Sequence, residues 1–555
     1  MVSMPLTTCA WQQKRACAIA RASLRAPCLA DATNMRAFLT LTSAMPATIV
    51  FGSQTISPAE AELRAARSAA GLMALGIAED DVVALMLRNE PAFIDAMTGA
   101  RRVGAYHCPI NWHFKSLEAG HILRDSAAKL LIVHADLLPQ IRVGVPAALT
   151  VLVVRPEPET VAAFGLDPAG WDAGAVVWRD WLAGHAPTEL PPRQPRGNIA
   201  YTSGTTGLPK GVRRMLAPPQ RAAEMAAGAA ALALEINGIG PGMRTINAAP
   251  LYHSAPNAYT LQSALVGELL VLEPKFDAGR TLALIATHRL THAYLVPTMF
   301  VRMLRLAQPV KDAADLSSMR FVASTGSPCA PDVKRAMINW WGPVIHESYA
   351  SSEAGYVTHI SSAEWLERPG SVGRAAGRGT VRIVDAAGKE LPPGEVGLIY
   401  CVQPAYPDFN YLNLPQARAA IGRDGLTCVG DMGFLDADGY LYVSDRQSDM
   451  VISGGVNIYP AEIEAVLIGM PGVADCAVFG IPHEVYGEAL AAAIEPHVGH
   501  LPDAQAVQDY LSERLAGYKV PRVVSFHEVL PREDSGKIFK RRLKAPYWEK
   551  VGRRI

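Results

Sequence analysis

A chain of 555 residues is longer than one ordinary domain, and roughly two to four folded units are expected. Half of the residues are hydrophobic and 52 basic side chains balance 52 acidic ones, a soluble globular composition with material for a large core. A formal charge of zero argues against a nucleic-acid partner or a broad anionic-membrane footprint, and no apolar run reaches the ~18 residues of a transmembrane segment.

In chain order, the first 34 residues carry Lys14, Arg15, Arg21 and Arg25, no acid before Asp31, and three of the eight cysteines (Cys9, Cys17, Cys28). The charge pattern superficially resembles a transit peptide, but no apolar segment accompanies it. Residues 1–34 read as a disordered extension, with Met35 as an alternative start. The cysteines are scattered singly without CxxC spacing, which fits reduced thiols in a cytoplasmic enzyme.

From residue 35 to 445, short apolar runs alternate with helical patterns. Strands are expected at Leu130–Val133, Leu149–Val154, Ala293–Val296 and Arg320–Ala323, and helices at Ala59–Leu75, Arg221–Leu234, Arg280–Thr287 and Pro331–Trp340. Strands covered on both faces and separated by helices predict layered α/β subdomains. Near residue 440 the pattern changes. A strand (Gly439–Asp445) is followed by a helix (Ala461–Ile468), strands at Ala474–Gly480 and Leu490–Ile494, a helix (Ala504–Leu515) and a last strand (Arg522–Phe526). Residues 446–555 are therefore expected to form a small α+β domain after a large N-terminal one.

The segment richest in chemistry is Ile199-Ala-Tyr-Thr202-Ser203-Gly204-Thr205-Thr206-Gly207-Leu-Pro-Lys210-Gly-Val212. A strand runs into a loop whose glycines let successive N–H groups point inward, while the hydroxyls and the lysine add donors and positive charge. That equipment suits the β- and γ-phosphates of a nucleotide. No GxxxxGK[ST] fits the loop, so it is not a Walker A motif.

This segment closely resembles the signature of the acyl-adenylate-forming superfamily, which includes acyl-CoA synthetases, peptide-synthetase adenylation domains and firefly-type luciferases. Four further motifs follow in the family's order: Ala249-Pro-Leu-Tyr252-His253-Ser-Ala-Pro-Asn257; Ser324-Thr-Gly326-Ser327-Pro328 with Glu347-Ser348-Tyr349-Ala350-Ser351-Ser352-Glu353; Gly430-Asp431 with Asp445-Arg446-Gln-Ser448 and Gly454-Gly455; and Ser535-Gly536-Lys537-Ile538. Alone, His253 reads as a loop histidine, Glu353 as a surface carboxylate and the basic run from Lys537 as a solvated tail.

The resemblance implies more. ATP would lie against Thr202 to Gly207, Lys210, Gly326 to Pro328 and Glu347 to Ser352, with Tyr349 on the adenine. Asp431 and Arg446 would hold the ribose. Glu353 and Thr202 would hold Mg²⁺, which prefers hard oxygen ligands. Tyr252, His253, Asn257 and Ala350 would meet the acid, and Gly454 and Gly455 the pantetheine arm of coenzyme A. Lys537, with His253 and Lys210, would serve catalysis, and Ser448 stands where the family has its hinge.

The implied reaction joins a small-molecule carboxylic acid to CoA through an acyl-adenylate, releasing AMP and pyrophosphate. The segment Ser453-Gly-Gly-Val-Asn-Ile-Tyr-Pro460 resembles the CoA-ligase branch, and no carrier domain follows residue 550. Free CoA is accordingly expected ahead of a carrier protein. Medium- or long-chain fatty acids are the expected substrates, with aryl or alicyclic acids as the alternative. A luciferase-like oxygenase and a non-catalytic nucleotide sensor are the remaining readings. Monomer and homodimer both stay open.

Overall fold

The computed structural model describes residues 46–171, 174–202, 209–327, 329–447, 449–453, 456–484, 486–500, 502–532 and 538–550. Its largest sheet has seven strands in the order Ile345–Glu347, Phe321–Ser324, His292–Tyr294, Arg244–Asn247, Leu269–Leu272, Thr48–Phe51 and Gln54–Ile56. All pairings are parallel except the last. A second, parallel sheet of four orders Tyr106–Pro109, Val82–Met86, Leu130–His134 and Thr150–Val154. Val82–Met86 and Leu130–His134 are buried at every position, as strands covered on both faces must be.

The helix Pro58–Ala74 shows how local sequence builds these layers. Ser57 caps it by accepting from the Glu60 N–H, and Pro58 occupies the first turn, where its missing donor costs nothing. The helix packs on Pro91–Val103 so closely that a Cβ at Gly99 would lie 2.3 Å from the Ser68 hydroxyl. Between the two, Arg64 and Asp95 form a buried ion pair that the Trp178 indole also joins at 2.9 Å.

An antiparallel six-stranded sheet follows, and its last strand ends at Arg446. Beyond it lies another sheet, in the order Val456–Ile458, Val451–Ser453, Gly487–Pro496, Val473–His483, with Val523–Phe526 parallel to Gly487–Pro496. Pro460–Leu467 and Ala504–Ser512 cover it with their own apolar cluster around Ile463, Val478 and Leu511. The architecture is α/β, a large N-terminal domain and a small C-terminal one. Among the described residues no helix is long and apolar enough to cross a membrane.

Several predicted boundaries shift. The strand expected at Ala293–Val296 stops at Tyr294, because Pro297 opens a helix and draws Val296 into its N-cap. The helix expected to reach Leu515 ends at Ser512. In contrast, Ala222–Asn237 runs three residues past its expected end at Leu234, to Gly238, whose φ of 67° supplies the left-handed cap.

Eight elements carry the site. In chain order they are β1 (Ala200–Thr202), β2 (Lys210–Arg214), α1 (Ser254–Val266), β3 (Ala350–Ser351), β4 (Gly355–Tyr356), β5 (Phe409–Tyr411), β6 (Asp431–Leu435) and β7 (Leu441–Arg446).

Candidate active site

β1 and β2 are antiparallel, and Thr202 stands opposite Lys210. The hydroxyl-rich loop is thus the connection of a hairpin whose two ends carry a hydroxyl and an ammonium. β5 pairs with the other edge of β2, setting Tyr411 opposite Val212. This small sheet meets the β3–β4 hairpin at Glu353. The Tyr411 hydroxyl donates to Glu353 Oε1 at 2.9 Å, and Thr202 Oγ1 lies 3.5 Å from the same oxygen. Lys210 Nζ sits 5.4 Å from the centre of the Tyr411 ring.

Glu353 is buried and, among the described residues, forms no ion pair. A buried carboxylate without a counter-ion is costly, whereas hard oxygens at this spacing match a divalent cation that also takes phosphate oxygens. The donors present therefore fit Mg²⁺. Burial, followed by the Glu353 charge, raises the pKa of Tyr411, so the phenol stays protonated and donates. Arg214 fixes the backbone here. Its guanidinium donates to the carbonyls of Ser352 (3.1 Å), Glu353 (2.9 Å) and Pro407 (3.0 Å). Neither Tyr411 nor Arg214 belongs to the quoted motifs; the only linear hint was the continuation of the loop into Gly211-Val-Arg-Arg214.

A second cluster forms where β6 and β7 pair, with Asp431 opposite Arg446. Arg446 Nε donates to Asp431 Oδ1 at 3.1 Å, and the Tyr349 hydroxyl donates to Oδ2 at 2.6 Å. Tyr349 is buried against Ile399 and Leu441, and its phenol is held above its ordinary pKa by that burial and then by Asp431. Gly326, at φ 96°, holds a conformation that other residues rarely adopt, with open space where a side chain would start.

The remaining candidates divide between those facing one another and those turned inward. His253 is the N-cap residue of α1, and its ring lies 4.4 Å from that of Tyr252, which meets Trp112 edge-on at 4.6 Å. One residue further, Ser254 Oγ lies 3.0 Å from Ser352 Oγ, tying the start of α1 to the β3–β4 hairpin. In that hairpin Ala350 stands opposite Tyr356. The Ser351 hydroxyl accepts from the Ala354 N–H, and the Ser348 carbonyl accepts from the Thr325 hydroxyl.

Two of the expected site residues already have side-chain partners inside the protein. Asn257 does not present its amide to a ligand: the amide pairs with His107 Nε2 at 3.0 Å and donates to the Leu251 carbonyl at 2.9 Å, inside the core. Glu347 does not offer a free carboxylate, because Lys334 Nζ pairs with it at 2.6 Å while both are buried. A buried acid takes the nearest cation that removes its desolvation penalty. Ser203, Gly204, Thr205, Thr206, Gly207, Pro328, Ser448, Gly454, Gly455 and Lys537 lie outside the described residues.

Comparison with known proteins adds to this geometry. Residues 40–406 match the AMP-binding enzyme family, and residues 462–537 match the AMP-binding enzyme C-terminal domain. An indoleacetate–CoA ligase of Aromatoleum aromaticum is 34% identical over 499 residues, covering 89% of this chain and 93% of that protein. The long-chain-fatty-acid–CoA ligase FadD13 of Mycobacterium tuberculosis is 34% identical over 496 residues, covering 87% and 91%. ATP-bound MatB from Rhodopseudomonas palustris superposes with a TM-score of 0.78 at 28% identity, over 92% of this chain and 98% of that one.

Proposed function

Because this chain belongs to the AMP-binding enzyme family and is an AMP-forming acid–thiol ligase, we propose that it activates an apolar carboxylic acid on the residues assembled around Glu353 and Asp431 and passes the acyl group to coenzyme A. The observation that carries the site assignment is that Thr202, paired with Lys210 across the β1–β2 hairpin, lies 3.5 Å from Glu353 of another hairpin.

A carboxylate is a poor electrophile, so the first half-reaction is in-line attack of the acid on the α-phosphorus of ATP. Positioning and charge neutralisation dominate such a step. The β1–β2 loop and Lys210 receive the departing pyrophosphate, and Asp431 with Arg446 holds the ribose. Mg²⁺, when bound at Glu353 and Thr202, supplies charge neutralisation on phosphate oxygens. Lys537 bridges the acid and the α-phosphate. Rotation at Ser448, beside a domain boundary placed at Arg446, withdraws Lys537 and brings Gly454 and Gly455 to the pocket for the thiol.

The acid is a medium- or long-chain fatty acid in the first reading. An aryl acid is the second, and it stands level because relatives of equal identity carry an indoleacetate and a long-chain name. Pyrophosphate release, measured with fatty acids of graded length and with indoleacetate, benzoate and cinnamate, decides between them. Acid-dependent pyrophosphate and a CoA thioester are expected. Nucleotide binding without acid-dependent pyrophosphate would instead make the chain a sensor.

A further inference from the structure

The carboxylate of Glu353 has three side-chain torsions to fix, and Mg²⁺ demands near-ideal geometry from its ligands. Something must therefore hold that carboxylate before the cation arrives. Arg214 holds the main chain on either side of the Glu353 Cα through the Ser352 and Glu353 carbonyls, but not the side chain. Among the described residues, its side-chain partners are the Tyr411 hydroxyl, at 2.9 Å from Oε1, and the more distant Thr202 hydroxyl.

We propose that Tyr411 is a positioning residue for the metal and phosphate halves of the site together. Its hydroxyl aims Glu353 Oε1 toward Thr202, and its ring face seats the Lys210 ammonium. A carboxylate has about four lone-pair directions, so one phenol donor leaves the others open for a metal. The ring centre, 5.4 Å from Lys210 Nζ, lies within the reach of a cation–π contact. Tyr411 is suited to the task because it stands on a strand and not on a loop. β5 is in register with β2, and Val212, Phe409 and Tyr411 form one apolar cluster. Arg418 clamps that cluster from outside, lying 4.5 Å over the Phe409 ring and donating to the Phe409 carbonyl at 3.1 Å. One rigid side chain thereby sets the distance between a cation-binding carboxylate and a phosphate-binding ammonium. The proposal rests on the assignment of Glu353 to the metal and Lys210 to phosphate.

The two contacts separate by mutation. Tyr411→Phe keeps the ring under Lys210 and loses the hydroxyl, whereas Tyr411→Leu loses both. The readout is binding of Mn²⁺, followed by electron paramagnetic resonance, to the full chain holding a non-hydrolysable ATP analogue. Tyr411→Phe is expected to weaken Mn²⁺ binding about tenfold, the usual scale for loss of a group that orients a metal ligand, with the analogue's own affinity measured without metal unchanged. Tyr411→Leu is expected to weaken the analogue as well. Tyr411→His, which restores an N–H donor, should recover part of the Mn²⁺ affinity, a rescue that a merely structural role would not give. Glu353→Gln is the control. Unchanged Mn²⁺ binding in Glu353→Gln removes the metal assignment itself, and with it the proposal. Weakened binding in Glu353→Gln beside wild-type binding in Tyr411→Phe overturns the role of Tyr411 alone. If Tyr411→Phe fails to fold, the absence of rescue by Tyr411→His, judged against Tyr411→Leu, overturns it equally.

Discussion

Tyr349 and Asp431, 82 positions apart, meet through a 2.6 Å hydrogen bond from the phenol to Oδ2, while Arg446 donates to Oδ1 from the facing strand. Among the described residues each oxygen of Asp431 thus has one donor, which leaves a lone pair for a ribose hydroxyl. Asp431→Ala is expected to raise the KM for ATP by about ten- to a hundredfold, since hydrogen bonds to a charged acceptor are worth about 1.5–3 kcal/mol. Tyr349→Phe should cost about tenfold or less, because it removes one donor and keeps the buried ring. ATP-dependent pyrophosphate exchange measures both, and an unchanged KM in Asp431→Ala would take the ribose elsewhere.

Lys537, outside the described residues, carries the sharpest kinetic expectation. Lys537→Ala should lower adenylate formation by about 10²–10³, the loss typical of one electrostatic contact to the reacting centre, and spare thioester formation from supplied acyl-adenylate. Equal loss in both half-reactions would deny it that place. Ser448→Pro should do the reverse, slowing only the thioester step if the chain turns there.

A clamp holds β1 just before its loop. Tyr201 donates to Asp125 Oδ2 at 2.7 Å, and the Asn413 amide donates to the Asp125 carbonyl and Oδ1, each at 2.9 Å. Asp125→Ala strands a half-buried phenol and should cost about 1–3 kcal/mol of stability, with a raised KM for ATP, since Tyr201 leads straight into the loop. Urea denaturation at constant slope reads the first effect and pyrophosphate exchange the second.

Lys334 and Glu347 are buried at 2.6 Å, with Lys334 Nζ 5.0 Å from the Trp365 ring centre. Removing one partner leaves a bare buried charge, so Lys334→Met should destabilise by about 3–5 kcal/mol. Lys334→Met with Glu347→Leu should recover most of that loss. A double variant as unstable as the single one would show that Glu347 has another task.

Burial lowers the pKa of His107, His292 and His359 from 6.5 to about 4, because an imidazolium there would lose its hydration. His346 is lowered too, by burial and then by His359, whose Nε2 lies 3.0 Å from its Nδ1 in nearly parallel rings. With folded pKa values below the unfolded one, the unfolded chain binds more protons between these limits. The contribution of His107, His292 and His359 to stability is therefore full above pH 6.5, falls as pH drops toward about 4, and is level below that. His359→Phe removes one of these imidazoles and should flatten the acid slope in urea denaturation compared between about pH 7 and pH 5. An undiminished slope would exclude His359 as a source.

The linear chain by itself determined the α/β alternation, the sheet change after residue 446, and five motifs whose order implied adenylation chemistry. Each of these depends on residues within one strand, loop or helix turn, where periodicity and glycine placement act locally. Partnership was decided only in three dimensions. Nothing near Glu353 in sequence names Tyr411, 58 positions away, and nothing near Asn257 names His107, 150 positions away. Strand register closes such distances: β2 pairing with β1 and β5 at once puts Thr202 and Tyr411 on one carboxylate, with Lys210 beside the Tyr411 ring. The same long-range packing supplied Lys334 to Glu347 and drew the Asn257 amide inward, because a buried polar group must find a partner wherever the fold has left one.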